Sequence, residues 1–108
     1  MANLEQTLSG TFDQALERIE YGILHGSVSA TLEGASNFRT PNARCAVRVF
    51  ERYSWFGGNR LSLTVTLFQA DGGPVQLSAI TAGGSQAMFF KVNTVGEEAF
   101  LDKLRELL

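Results

Sequence analysis

The sequence has very few of the side chains that build metal centres and disulfides. It contains one cysteine, Cys45, and one histidine, His25. A single cysteine excludes an internal disulfide and any metal centre made of several cysteines. Cys45 lies in the apolar phase of a strand pattern, so we interpret it as a small hydrophobe of the core rather than a nucleophile. His25, at the end of a predicted helix, is interpreted as structural because one histidine makes neither a metal site nor a catalytic triad.

The chain also lacks an excess of positive charge and a long hydrophobic run. Its net charge is −2 and its pI about 5.3, which argues against nucleic acid as a partner, because domains that bind it carry basic surfaces. No segment approaches the roughly 20 apolar residues of a membrane span. The first residues include Glu5 and no apolar run, so we predict no signal peptide. We therefore expect a soluble cytoplasmic protein without a membrane partner, in which residues 1–108 form one domain.

A strong strand pattern is present between residues 44 and 91. Apolar and polar residues alternate with a period of two in its first two runs, and in both we assign the odd positions to the core. Residues opposite each other in an antiparallel pair face the same side, so odd positions must pair with odd positions. A three-residue loop at 57–59 meets this condition and sets Val49 opposite Leu67 and Tyr53 opposite Leu63.

Two further glycine-containing turns extend the pattern to four antiparallel strands. An odd-length loop around residues 71–73 sets Leu67 opposite Leu77 and Val65 opposite Ala79. A two-residue turn at positions 83 and 84 then pairs Leu77 with Phe90 and leaves the following lysine facing water.

Two helices are predicted, one near each end of the sequence. Thr11 and Gln14 form a capping box that starts a helix ending at Gly26. Residues 94–97 form a second capping box that starts a C-terminal helix. Each helix has one apolar stripe and the sheet has one strongly apolar face, so both helices are expected on that face. The predicted core comprises Leu16, Ile19, Leu63, Val65, Leu67, Leu77, Phe90, Phe100 and Leu104.

The fold class predicted from these patterns is α+β. It is a two-layer sandwich in which an antiparallel meander sheet of four to six strands carries an N-terminal and a C-terminal helix on one face. Residues 27–33 are predicted as a further strand at the edge of the meander. Residues 4–8 fit either a short edge strand or a frayed terminus. The segment 34–42 is expected to be a surface loop whose course the pattern leaves open.

Several segments are similar to those of a known protein family. They are Arg44-Cys45-Ala46-Val47-Arg48-Val49, Glu51-Arg52-Tyr53-Ser54, Gly57-Gly58-Asn59-Arg60, Gly83-Gly84-Ser85-Gln86-Ala87-Met88-Phe89-Phe90-Lys91 and Gly96-Glu97-Glu98. Over residues 12–104 the chain resembles the small uncharacterised bacterial proteins called domain of unknown function 6054. The resemblance supports one compact domain and implies no activity, substrate or catalytic residue.

The sheet face turned away from the helices is the predicted functional surface. With odd positions in the core, this face gathers arginines and bulky apolar side chains, which is the composition of protein interface cores. The candidate binding residues are Arg44, Arg48, Phe50, Arg52, Arg60, Phe68, Ile80 and Phe89. We therefore favour a non-enzymatic binding or self-association module that forms a homodimer or binds a protein partner through this face. A solvated face with scattered apolar residues and a platform for anions or single-stranded nucleic acid are the other interpretations.

No catalytic residue, metal ligand or cofactor is predicted. The glycines at 83 and 84 lack the Lys-Ser/Thr of a P-loop, so a turn explains them better than a phosphate cradle does. Glu51 lies among core positions without a partner for acid–base chemistry, and we expect it at the sheet margin or paired with an arginine. The alternative function is a small-molecule-binding or catalytic domain with a pocket between helices and sheet, near Glu51, Tyr53 and Trp55.

Overall fold

A computed structural model describes residues 2–26, 29–53, 60–83 and 90–108, with the description of 90–96 confined to the backbone. Within these ranges the elements follow one another as β1 (Asn3–Leu8), α1 (Phe12–Gly26), β2 (Thr31–Thr40), β3 (Ala43–Tyr53), β4 (Arg60–Ala70), β5 (Val75–Gly83) and α2 (Phe90–Arg105). The five strands form one sheet in the order β1-β5-β4-β3-β2, and every neighbouring pair is antiparallel. The α+β fold predicted from the sequence is confirmed.

The core lies between the two helices and one face of the sheet. Helix α1 buries Phe12, Ala15, Ile19 and Ile23 there, and α2 buries Phe100, Leu101 and Leu104. The sheet contributes the odd residues of β4 from Leu61 to Leu67 and of β5 from Val75 to Thr81, which are buried because a strand turns alternate side chains to opposite faces. The predicted core residues Ile19, Leu63, Val65, Leu67, Leu77, Phe100 and Leu104 are buried, and Leu16 packs against them. The side chain of Phe90 lies outside the described residues.

The start of α1 is the predicted capping box. The Thr11 hydroxyl accepts a hydrogen bond from the Gln14 backbone N–H at 3.1 Å, and the Gln14 side-chain oxygen accepts one from the Thr11 backbone N–H at 3.3 Å. These two bonds satisfy donors that the first turn of a helix leaves unpaired. The helix ends at Gly26, as predicted.

The register between β4 and β5 is also the predicted one. Leu67 lies opposite Leu77, and Val65 lies opposite Ala79. The alternation favours this pairing, because the odd positions 61–67 of β4 are all leucine or valine whereas the even positions 62–66 are serine and threonine.

The predicted register between β3 and β4 is wrong. Leu67 lies opposite Ala46 rather than Val49, and the last pair of the hairpin is Tyr53 with Arg60. The even residues of β3 therefore face the helices. The predicted loop at 57–59 lies outside the described residues.

The register differs because β3 carries apolar residues on both of its faces. Burying the Phe50 ring removes more apolar surface from water than burying Val49 does, so the phase that puts Phe50 in the core is favoured. Phe50 is fully buried, whereas Val49 on the other face is half-buried.

The predicted last strand is wrong as well. Residue Phe90 begins α2, so the 94–97 capping box lies inside that helix rather than at its start. The place beside β5 is taken by β1, which pairs Gln6 with Leu77. The Thr81 side chain holds this edge in register, since its hydroxyl lies 3.1 Å from both the backbone nitrogen and the carbonyl oxygen of Ala2. Residue 84 of the predicted turn lies outside the described residues.

The strand β2 is longer than predicted and runs through the segment whose course was left open. It begins at Thr31 and ends at Thr40, before a tight turn at Pro41 and Asn42. A bulge between Leu32 and Gly34 shifts its register against β3. Its side chains are exposed along almost the whole strand, because it forms an edge of the sheet beyond the helices. Residues 3–8 form the strand at the opposite edge, which confirms the edge-strand interpretation of residues 4–8.

Candidate functional site

The face of the sheet that carries no helix is called here the open face. The registers place alternate residues of all five strands on it. Its central part consists of Ser36 and Phe38 on β2, Cys45, Val47 and Val49 on β3, Thr64, Thr66 and Phe68 on β4, and Gln76, Ser78 and Ile80 on β5. None of these side chains is charged.

Large apolar side chains project from the open face into water. Phe38 is 63% exposed, Ile80 43% and Phe68 41%. Cys45 lies between the two phenylalanines, because the registers set it opposite Phe38 on one side and opposite Phe68 on the other. Val47 adds a half-buried apolar side chain one row away. An open antiparallel face normally alternates polar residues toward water, so this composition departs from that pattern.

The charged residues of the open face lie at its margins. At one end Arg60 on β4 donates a hydrogen bond to the Glu51 carboxylate at 2.9 Å, and this bond raises the pKa of Arg60. Glu33 lies beside this pair, accepting a hydrogen bond from Thr31. On the outer strand β1 the face carries Glu5. An uncharged centre with a charged rim is the anatomy of a protein interface.

A shallow groove of about 440 Å³ crosses the open face over β5, between β1 and β4. The residues that line it include Phe68, Thr66, Thr7 and Glu5. The groove is therefore part of the same surface as the exposed apolar residues.

The structure divides the candidate binding residues between the two faces. Arg60, Phe68 and Ile80 lie on the open face, as predicted. Contrary to prediction, Arg44, Arg48, Phe50 and Arg52 face the helices, because the register of β3 is shifted. Phe89 lies outside the described residues.

Arg48 illustrates what the shift changes. It is buried, and its guanidinium donates to the Glu20 carboxylate of α1 at 2.5 Å. The same group donates to the backbone oxygens of Val47 and Ser36 at 2.9 and 3.1 Å, and to the Asn37 side chain at 3.0 Å. A buried charge requires such partners. Arg48 therefore ties α1 to β2 and β3 instead of facing a partner molecule.

The two other arginines of β3 also contact the helices. Arg44 lies 4.0 Å from the centre of the Phe12 ring and donates to the Asp13 carboxylate at 2.6 Å, which lowers the pKa of Asp13. Arg52 lies over the Phe100 ring at 4.6 Å, and burial lowers its pKa. These contacts are cation–π and ion-pair interactions between sheet and helix.

Most of the open-face residues on β2 and β3 were not predicted from the sequence. Cys45, Val47 and Val49 were assigned to the core, and Phe38 lay in the segment left without a course. One local signal for β2 was present: Pro41-Asn42 is a turn dipeptide between two segments that both pair.

The pocket of the alternative function is not formed by its predicted residues. Glu51 and Tyr53 lie on the open face rather than between helices and sheet, and Trp55 lies outside the described residues. Among the residues that the structure describes, no three His, Cys, Asp or Glu side chains are grouped to hold a metal ion. Within the same residues, neither helix has the length and apolar character needed to cross a bilayer.

The comparisons with other proteins concern the whole chain. No curated protein matches it. The sequence matches a protein family described as a family of unknown function (DUF6054), and the match spans residues 1–108. This span includes every segment on which the resemblance rested. The chain belongs to this family, DUF6054.

Proposed function

We propose that this protein is a non-enzymatic binding module whose working surface is the open face. The observation that supports the proposal is the uncharged centre of that face, where Phe38, Phe68 and Ile80 project into water beside half-buried Val47 and Val49. Exposing a contiguous apolar surface favours association with another macromolecule.

The size of the open face suits a protein partner. Five strands spaced about 4.8 Å apart, with roughly nine residues rising about 3.3 Å each, give a face of about 700 Å². Specific protein interfaces bury about 600–1,000 Å² on each partner, and the open face lies within this range. The open face is therefore large enough to carry a specific complex by itself.

The ion pairs support binding rather than catalysis. Glu51, the carboxylate considered for acid–base chemistry, is bound by Arg60 at the margin of the face. Arg48 and Arg44 are bound by carboxylates of α1.

A cytoplasmic location belongs to the same proposal, because a free thiol such as Cys45 on a surface is suited to a reducing compartment.

The thiol of Cys45 offers a direct test, since it lies in the middle of the open face and is half-buried in the isolated chain. The measurement is its rate of reaction with a membrane-permeant maleimide, first in intact cells that make the protein and then after lysis and dilution. If the open face is covered in the cell, the thiol should react at least about tenfold more slowly before dilution than after it.

A second variant controls for differences in reagent access. It combines Cys45→Ser with Arg18→Cys, which moves the thiol to the exposed surface of α1. For the thiol at position 18, the ratio of the rate in intact cells to the rate after lysis should equal the ratio for a small thiol that no protein surface shields. If the ratios for positions 45 and 18 are equal, the open face is uncovered in the cell and the proposed function is wrong.

A further inference from the structure

We infer that the occupant of the open face is a second copy of this chain, and that each copy inserts Phe38 into the groove of the other. This inference rests on the proposed function and names its partner. It follows from where the projecting ring and the groove lie on the same sheet.

The ring and the groove lie on one row across the sheet, at opposite edges. The registers align Phe38 on β2 with Cys45, Cys45 with Phe68, Phe68 with Gln76, and Gln76 with Thr7 on β1. Phe38 is therefore at one end of this row, and the groove lies at its other end, between Phe68 and Thr7.

A two-fold axis converts this arrangement into a self-complementary pair. The axis runs parallel to the strands and passes over β4, the middle strand of the five. Such an axis turns the two open faces toward each other and brings β2 of one copy over β1 of the other, at the same height along the strands. Phe38 of each copy then lies over Thr7, the β1 wall of its partner's groove, one strand spacing of about 4.8 Å from the groove floor on β5, so its ring reaches into the groove. Both contacts form at once, as an isologous interface requires.

The chemistry of the contact fits an aromatic ring. The groove has a volume of about 440 Å³, and its wall includes the Phe68 ring, against which a second ring packs edge to face. The residues nearest the axis are Thr66 and Phe68, which are uncharged and therefore meet their own copies without repulsion. Face-to-face sheets lie about 10 Å apart with their strands nearly aligned, and side chains fill the space between them.

The area is sufficient for a stable dimer. Two open faces of about 700 Å² bury about 1,400 Å² in total, within the range of about 1,200–2,000 Å² that specific complexes bury. Glu33 and the Glu51–Arg60 pair lie at the rim of this area, and Glu5 lines the groove from the edge strand β1.

The inference is tested by sedimentation equilibrium of the purified chain and of two variants from opposite edges of the sheet. Phe38→Ala removes the ring, and Ser78→Trp fills the groove from β5. Each variant alone should raise the Kd of the dimer by about 100-fold or more, because both copies lose the contact and aromatic anchors dominate interface energies. Circular dichroism verifies that both variants are folded.

Mixing the two variants gives the sharper result. In a mixed dimer the intact Phe38 of one copy meets the intact groove of the other, while the alanine faces the tryptophan. Dimers should therefore reappear in the mixture, although neither variant pairs with itself. Tyr21→Ala on α1 is the matched control, because Tyr21 is 65% exposed, as Phe38 is 63% exposed, but lies away from the open face. It should leave the Kd unchanged.

Two results overturn the inference. One is a chain that stays monomeric at millimolar concentration. If Cys45 is protected in cells although the purified chain is monomeric, another partner covers the open face, and only the identity of the occupant is wrong. The other is a dimer that Phe38→Ala and Ser78→Trp leave intact, which places the interface elsewhere. Slow Cys45 labelling in intact cells then keeps the proposed function, and equal ratios of labelling rates at positions 45 and 18 reject both.

Discussion

The two phenylalanines Phe50 and Phe68 give the clearest test of which sheet face the helices cover. Sequence pattern places both on the same face, whereas the structure separates them. Phe50 is fully buried under the helices, and Phe68 is 41% exposed on the open face. The test compares Phe50→Ala with Phe68→Ala in one assay, urea unfolding followed by circular dichroism.

The expected magnitudes follow from burial. Phe50 lies in the core opposite Leu63, so truncating it leaves a cavity and should cost about 3–5 kcal/mol. At about 4 °C or more per kcal/mol, this corresponds to a fall in Tm of roughly 12 °C or more. Phe68 keeps much of its ring in water, so its truncation should cost about 1 kcal/mol.

The measurement requires low protein concentration, because removing Phe68 also weakens the proposed dimer and would add a concentration-dependent loss. The slope of the unfolding free energy against urea should be the same for both variants, since neither changes the surface exposed on unfolding by much. Equal losses for the two variants, or a larger loss for Phe68→Ala, would refute the face assignment of β3.

Two further predictions concern the polar contacts between helix and sheet. Arg48→Ala should destabilise the fold by roughly 1–3 kcal/mol in the same urea assay, because it leaves partly buried oxygen acceptors without a donor. Arg48→Lys should recover only part of this loss. A change within about 0.5 kcal/mol would mean that Arg48 faces water. The lowered pKa of Asp13 means that its bond to Arg44 stabilises the fold above the ordinary carboxyl pKa of about 3.9 and that this stabilisation is lost as the pH falls through the lowered value. Asp13→Asn should therefore lower Tm at pH 7 and leave it unchanged near pH 2, whereas an equal loss at both pH values would contradict the ion pair.

The functional surface was only partly predictable from the sequence. Phe68 and Ile80 were placed on the open face, because β4 and β5 have one apolar and one polar phase. Val47 and Phe38 were not, since β3 has apolar residues in both phases and β2 has none that alternate clearly. The open face remains the proposed interaction surface. Its central residues are uncharged and largely apolar, whereas the sequence predicted a mixture of arginines and aromatic residues.

The sequence by itself determined the features that depend only on residues close together along the chain. The Thr11–Gln14 capping box starts α1 through bonds between residues three positions apart, and the Leu67–Leu77 pairing follows from alternation on both strands and one short turn. Each depends on neighbours along the chain and needs no distant partner.

Only the tertiary structure decided the face of β3 and the partner of β5. Arg48 can be buried because α1 supplies the Glu20 carboxylate, 28 residues away in the sequence. The edge beside β5 is taken by β1, whose Ala2 bonds to Thr81 across 79 residues. Period-two patterns carry no information about such distant partners, and the free energy of burying Phe50 together with a fully bonded arginine outweighs the alternative phase in which Val49 is buried.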